Sequence, residues 1–406
     1  MINQEKQYNY SWVILIIFTL AQLLMSVGAY AWGPLAPFLQ QELALSRTQI
    51  GSLTSILYLT SVLIATPSGF LVDRWGAKIM LVICLGLMGA SFVAIIKCHS
   101  YFMLLFLAAL AGLGYGILNQ ASVKGLMYWF TVKFRGTALG IKQAGVTLGG
   151  AIGAVILPFL TLRYNWQVAA AAMGFLMVLM AGVAFLFYRE KPLTLNIPSF
   201  KKGSKRVSLK QVFKNYELLA TLMVMPFLAG SQACLGSFLI LYLKETLNLP
   251  TVTTGIYLTS TMAAGTVGRV GWGLISDRFF KGERSKTLII ICFFALMGTI
   301  GIGFLPSAYK GLNLIYVVLL GLGFLGFHGV LMTLVGELAG TELAGAVTGI
   351  VVTVSWAGIV VLPVAFGLLA DHYGYLWAWL MVALSALLGV VIYGYTYGQK
   401  IYLSRR

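Results

Sequence analysis

Negative charge is the scarcest property of this chain. Its 406 residues hold 11 Asp and Glu against 28 Lys and Arg, so only 10% are charged and the formal net charge is +17. A soluble domain carries about 25% charged residues. Here 59% of residues are hydrophobic and the mean hydropathy is +0.90, which excludes a soluble protein. Cysteine is limited to Cys84, Cys98, Cys234 and Cys292, three in apolar runs and one in a short loop, with neither metal spacing nor a disulfide framework. No paired carboxylates, metal cluster or nucleophile–base arrangement stands out, which argues against a membrane enzyme and implies no cofactor.

What the chain has in quantity is apolar runs of roughly 20 residues, each long enough for a ~30 Å hydrocarbon core. Backbone groups find no water there, so each run must be a helix or part of a closed barrel. Barrel strands of ~10 alternating residues do not fit runs of this length. Cutting at charges, Pro and Asn clusters predicts helices over 12–39, 48–72, 79–97, 102–127, 137–160, 167–188, 216–243, 252–275, 287–305, 312–336, 345–369 and 375–396. The first is read as an uncleaved helix, because its apolar run is too long for a signal-peptide core. A long connection, 189–215, separates six spans from six. With both termini in the cytoplasm, twenty Lys and Arg fall on the cytoplasmic side, eight of them in that connection. Five fall opposite: Arg47, Lys97, Arg163, Lys244 and Lys310. Positive charge stays on the cytoplasmic side, so this is the expected orientation, in a bacterial inner membrane. It also removes the reading of the net charge as a nucleic-acid footprint; the basic central loop is expected to lie on anionic membrane lipid.

The two halves echo each other. GFLVDRWGAK (69–78) joins the second and third spans, and GLISDRFFKGERSK (273–286) the eighth and ninth, with Asp73 and Asp277 204 residues apart. Gly51 and Gly255 keep that offset, and Pro158 and Pro363 nearly keep it. Halves related in this way are the repeat architecture of many secondary transporters. Together with its degraded copy, the 69–78 loop resembles the signature loop of the major facilitator superfamily, and the resemblance covers the whole chain. Phe70 departs from that pattern by placing the Leu one position late. The resemblance implies an all-α membrane protein, a monomer with twelve transmembrane helices in two pseudo-symmetric six-helix bundles. These would be 1–188 and 216–406, joined by the cytoplasmic loop 189–215. It also implies a cytoplasmic gate made of Gly69, Asp73, Arg74 and Lys78, with Asp277 and Arg278 in the copy. From the residues themselves, Asp73 lies at a helix end with Arg74 and Lys78 as partners, and Gly69 and Gly76 permit close approach and a tight turn. The plainer alternative is that these charges only set topology.

Three cations remain unplaced, Lys124, Lys142 and Arg269, all within predicted spans. An arginine near a helix centre costs ~2.5–3.5 kcal/mol on insertion scales. Every acid falls at a helix end, in a loop or in a tail, so no side chain is expected to neutralise these cations. The missing partner is then a small anionic substrate. Arg grips carboxylate or phosphate through two parallel hydrogen bonds, and Lys offers a point charge. Each cation could instead cap a carbonyl, and Lys124, just before Tyr128 and Trp129, could snorkel to the interface. Arg269 lies among Gly265, Gly268, Gly271 and Gly273, a surface that lets a helix or a ligand come close. Gln143 and Thr147 continue the polarity of Lys142.

R-x-x-x-G-x-x-x-D (Arg269, Gly273, Asp277) is similar to the monocarboxylate and oxalate/formate carriers, in which the matching arginine binds the substrate carboxylate. Gly265 stands where those carriers often have an acid or Asn. The stretch from Gly112 to Gly150 looks like the fourth and fifth helices of sugar-phosphate and nitrate carriers. The resemblance adds further cavity residues: Gln22, Ser26 and Tyr30 from the first span, Tyr115, Asn119 and Ser122 from the fourth, Ser231 and Gln232 from the seventh, and His328 from the tenth. His328 is the buried group suited to titrate near neutral pH, so the proton is the candidate coupling ion. The implied function is secondary transport of a small organic anion by alternating access. An exporter of amphipathic compounds would call for a buried carboxylate, which is missing; a non-transporting anion sensor would keep the same fold.

Overall fold

The structure, a computed structural model, describes residues 2–190, 215–304 and 310–404. The regular elements among the described residues are helices: α1 (Ile2–Ala29), α2 (Trp32–Leu43), α3 (Arg47–Ala94), α4 (Tyr101–Trp129), α5 (Val132–Arg163), α6 (Trp166–Phe187), α7 (Tyr216–Leu247), α8 (Thr251–Arg278), α9 (Arg284–Phe304), α10 (Lys310–Leu320), α11 (His328–His372) and α12 (Tyr375–Ser404). A π-helical turn, Gly321–Leu325, follows α10 directly. Most of the predicted central loop lies outside the described residues.

Ten helical segments among the described residues are long and apolar enough to cross a membrane. They differ from the twelve expected spans in two places. Arg47–Lys97 counts as one segment of 51 residues. At ~1.5 Å per residue that is ~75 Å, more than twice a ~30 Å core. The segment changes direction at Gly76, whose φ of 83° and ψ of 165° are not helical. The expected eighth span, α8, is helical but is not among the ten; its many Thr and Gly residues, with Arg269, leave it less apolar.

Boundaries shift for local reasons. The expected span 12–39 divides into α1 and α2. Pro34 has no N–H to offer the Tyr30 carbonyl, and the Ala31 amide tightens onto Gly28 O at 3.1 Å. Helix α11 runs on through the stretch expected to link the tenth and eleventh spans, where GELAGTELAG holds strong helix formers and no proline.

The helices gather into two compact units. One is Met1–Pro192 with Gly236–Thr259, the other Leu193–Leu235 with Ser260–Arg406. The end of α7 and the start of α8 therefore belong with the first unit, although the division expected from sequence put all of 216–406 in the second half. Contacts within the first unit give the reason. Thr54 and Ser237 share a buried hydrogen bond of 2.7 Å. Arg47 donates twice to Glu245, at 2.7 and 3.2 Å. A Cβ on Gly33 would stand 1.8 Å from Gly236 O.

Small residues also set the packing elsewhere in the first unit. A Cβ on Gly112 would lie 2.1 Å from Leu57 O, and one on Gly149 2.3 Å from Leu23 O. Glycine there lets α4 approach α3, and α5 approach α1, backbone to backbone. In the second unit, Gly358 meets Pro226 O so closely that a Cβ would sit 1.7 Å away, which joins α11 to α7.

Candidate functional site

In the first unit, α5 turns Lys142 inward beside Gly145 and Gly149, the residues that seat it on α1, and leaves the lysine 2% exposed. Its ammonium donates one hydrogen bond, 3.3 Å to Asn119 Oδ1 on α4. Tyr115 lies one turn before Asn119. Its hydroxyl faces Ser26, Tyr58 and Gln22, with Tyr30 close by. Gln22 Nε2 donates to Ser26 Oγ at 3.0 Å, and the Tyr58 and Tyr115 rings meet edge to face at 5.8 Å. Helices α1, α4 and α5, with the turn after α1, thus bring Lys142, Asn119, Tyr115, Tyr30 and Gln22 into one polar cluster. Gln143 does not share its face: it follows Lys142 by ~100° of helix rotation and is exposed. Tyr58 was missed by the sequence reading. It forms a polar stripe with Thr54 and Ser61 on one face of α3, a signal passed over because it carries no charge.

Lys124 corrects an expectation. Its ammonium pairs with Asp73 at 2.8 Å and donates to Val72 O at 2.8 Å. A carboxylate therefore does neutralise one of the three cations. The lysine stem is long enough to reach a helix end, where a carbonyl and an acid both favour a positive charge. Asp73 correspondingly takes Lys124 as its partner, not Arg74 or Lys78. Arg74 is exposed, and the Lys78 ammonium lies 4.9 Å over the Phe185 ring.

The tight turn expected at Gly76 is present. A Cβ there would lie 2.7 Å from Glu190, whose carboxylate accepts from the backbone N–H of Ala77 at 2.9 Å and Lys78 at 3.0 Å. Glu190 thereby satisfies two amides that restart the helix, as an N-terminal cap does. Close approach at Gly69 is not observed: a Cβ there would meet nothing within 4 Å.

In the second unit, Asp277 is bound by Arg284 at 2.5 Å. The same guanidinium reaches Glu337 at 2.9 Å and Ser276 Oγ at 3.0 Å. Arg278 beside it is exposed.

Arg269 and His328 meet at the π-helical turn. There Gly326 N bonds Gly321 O at 3.1 Å, five residues back, so the Leu322 carbonyl loses the amide it would have in an α-helix. Trp272 Nε1 takes that carbonyl at 2.9 Å, and Arg269 Nε donates to Leu325 O at 3.1 Å. Gly265 and Gly268 let α8 approach, since their Cβ positions lie 2.3 Å from Leu325 Cβ and 3.1 Å from Gly326 Cα. The glycine stripe of α8 thus receives a helix, while Gly271 and Gly273 meet nothing within 4 Å. His328 neighbours Arg269, and its Nδ1 is buried without a hydrogen-bond partner among the described residues. Gln232 is buried on α7.

Chemically, the first unit offers an ammonium behind an amide, and the second a guanidinium anchored by Nε beside an imidazole. Both can meet negative charge.

Comparison with known proteins agrees in class. The chain is 25% identical over 378 residues to the hexuronate transporter of Bacillus subtilis, covering 89% of this chain and 88% of that one. It is 24% identical over 375 residues to a protein of Cupriavidus necator described as a probable sulfoacetate transporter, covering 87% and 86%. It is also 24% identical over 368 residues to the membrane sensor protein UhpC of Salmonella typhimurium, covering 85% and 82%. A crystal structure of a bacterial homologue of the human lysosomal transporter Spinster superposes with a TM-score of 0.80 at 17% identity, over 98% of each chain, which speaks for the fold alone. The family model of the Major Facilitator Superfamily matches residues 18–363, and with that match the chain belongs to this superfamily of integral membrane transporters.

Proposed function

We propose that this protein is a secondary transporter that carries a small organic anion across a bacterial inner membrane by alternating access, with both termini cytoplasmic and the chain acting as a monomer. One observation carries the reading: Lys142 is a buried ammonium whose hydrogen bond goes to a neutral amide. Burying a charge without a counter-charge costs several kcal/mol, and a protein keeps such a charge inside a membrane chiefly for function. The carboxylates of Glu42, Asp73, Glu190, Glu217, Glu245, Asp277, Glu283 and Glu337 are engaged elsewhere. The transporters similar to this chain are named for hexuronate and sulfoacetate, both anionic, which supports a carboxylate or sulfonate as substrate.

Within this reading Lys142, Asn119, Tyr115, Tyr30 and Gln22 form one polar wall of the binding site. In the second unit, considered by itself, Arg269, His328 and Gln232 are the candidate substrate-binding residues, and His328 is the group to test for proton coupling. Lys124 is withdrawn from the binding set and joins Asp73 in the gate.

The deciding experiment is uptake of labelled glucuronate and sulfoacetate into proteoliposomes, with and without an imposed pH gradient. Uptake of neither, by protein that binds them, favours a second reading. Similarity to a membrane sensor makes a non-transporting anion receptor the specific alternative.

A further inference from the structure

Lysine has three donors and no acceptor, so the Asn119 atom that meets the Lys142 ammonium at 3.3 Å is the amide oxygen. This fixes which way the amide points. Its NH2 group therefore is not the atom that meets Lys142, and Asn119 itself is exposed. Among the described residues nothing accepts from that NH2. Lys142 as a residue is 2% exposed whereas Asn119 is exposed, so a ligand approaching this wall meets the amide first.

We propose that Asn119 and Lys142 together form an oxyanion receptor. The outward NH2 of Asn119 donates directly to a carboxylate or sulfonate oxygen of the substrate. Lys142, behind it, polarises the amide and supplies the positive charge, since hydrogen bonds to an ionised partner are shorter and stronger than neutral ones. The chain of donors runs ammonium to amide oxygen, then amide nitrogen to substrate oxygen, each link strengthening the next. Tyr115, one turn earlier on α4 and ~6 Å along the axis, extends the same wall.

The proposal rests on the anion-carrier reading above and adds to it which atom touches the substrate and what sets charge selectivity. The choice of Asn over Asp at position 119 is the selectivity determinant. A carboxylate there would be isosteric, would neutralise Lys142 internally, and would turn an acceptor outward in place of a donor.

Asn119→Asp separates a receptor from a merely structural pair. Full-length protein in detergent would be melted against potassium salts of glucuronate, acetate, sulfoacetate and phosphate, with potassium chloride at equal ionic strength as reference. Wild type should give a saturable rise in Tm with at least one probe. Asn119→Asp should melt, without ligand, at the wild-type temperature or higher, because its carboxylate pairs with Lys142, and should bind that probe at least tenfold more weakly. Asn119→Leu, which keeps the volume and loses the donors, should weaken binding similarly, and it decides the matter if Asn119→Asp does not fold. Folded Asn119→Asp with wild-type affinity would overturn the receptor and leave the anion-carrier reading standing. A wild-type protein that responds to none of the probes would overturn both.

Discussion

At the scale of single residues, the three cations within the predicted spans have three different fates. Lys124 finds an acid, Arg269 is tethered through Nε to a main-chain carbonyl, and Lys142 has an amide. The consequences differ accordingly. Lys142→Met removes a buried charge and keeps an unbranched side chain of similar size, so stability should hold or rise, as often follows when apolar groups replace buried ions. Anion affinity should fall at least tenfold, measured by the shift in Tm with glucuronate. Arg269→Lys should fold, because Trp272 still holds the Leu322 carbonyl. Its uptake should drop by about tenfold or more, because a lysine lacks the Nε anchor and the planar fork. Uptake at the wild-type rate would remove Arg269 from the site.

Individual helices show where local physics rules and where it stops. Ser46 and Gln49 form a reciprocal capping box at the start of α3, a pattern legible from spacing alone. The restart of the helix after Gly76 is different. Its first amides are satisfied by Glu190, more than 110 residues later in the chain, and spacing within the loop cannot reveal such a partner. Gly76→Ala should cost about 1–3 kcal/mol, since φ of 83° with ψ of 165° is a conformation nearly confined to glycine and the added carbon would strike Glu190. The readout is a lower Tm in detergent. Asp73→Asn should slow the transport cycle several-fold while leaving anion affinity within about twofold, because it weakens the pair with Lys124 and leaves Lys142 untouched. Comparing uptake rate with binding on the same preparation checks both halves of that statement. The π-helical turn was not legible either: GLGFL reads as ordinary apolar helix, and only the approach of Arg269 and Trp272 gives its released carbonyls a use.

For the whole molecule, the proposed orientation rests on the uneven distribution of Lys and Arg and is open to a direct check. A cysteine placed at Ser100 should react with a membrane-impermeant thiol reagent in intact cells, and one placed at Lys281 should react only after permeabilisation. The opposite result would invert the topology. By itself the sequence determined that this is a helical membrane protein resembling one superfamily, and its internal echoes led to the expectation of two related halves. Hydrophobic length and charge asymmetry are additive along a chain, so they can be read without knowing who touches whom. Only the tertiary structure decided which cation has which partner. A buried charge responds to what lies within a few ångströms of it, and those neighbours, Asp73 for Lys124, Asn119 for Lys142 and Leu325 for Arg269, come from other helices, at separations that no periodicity encodes.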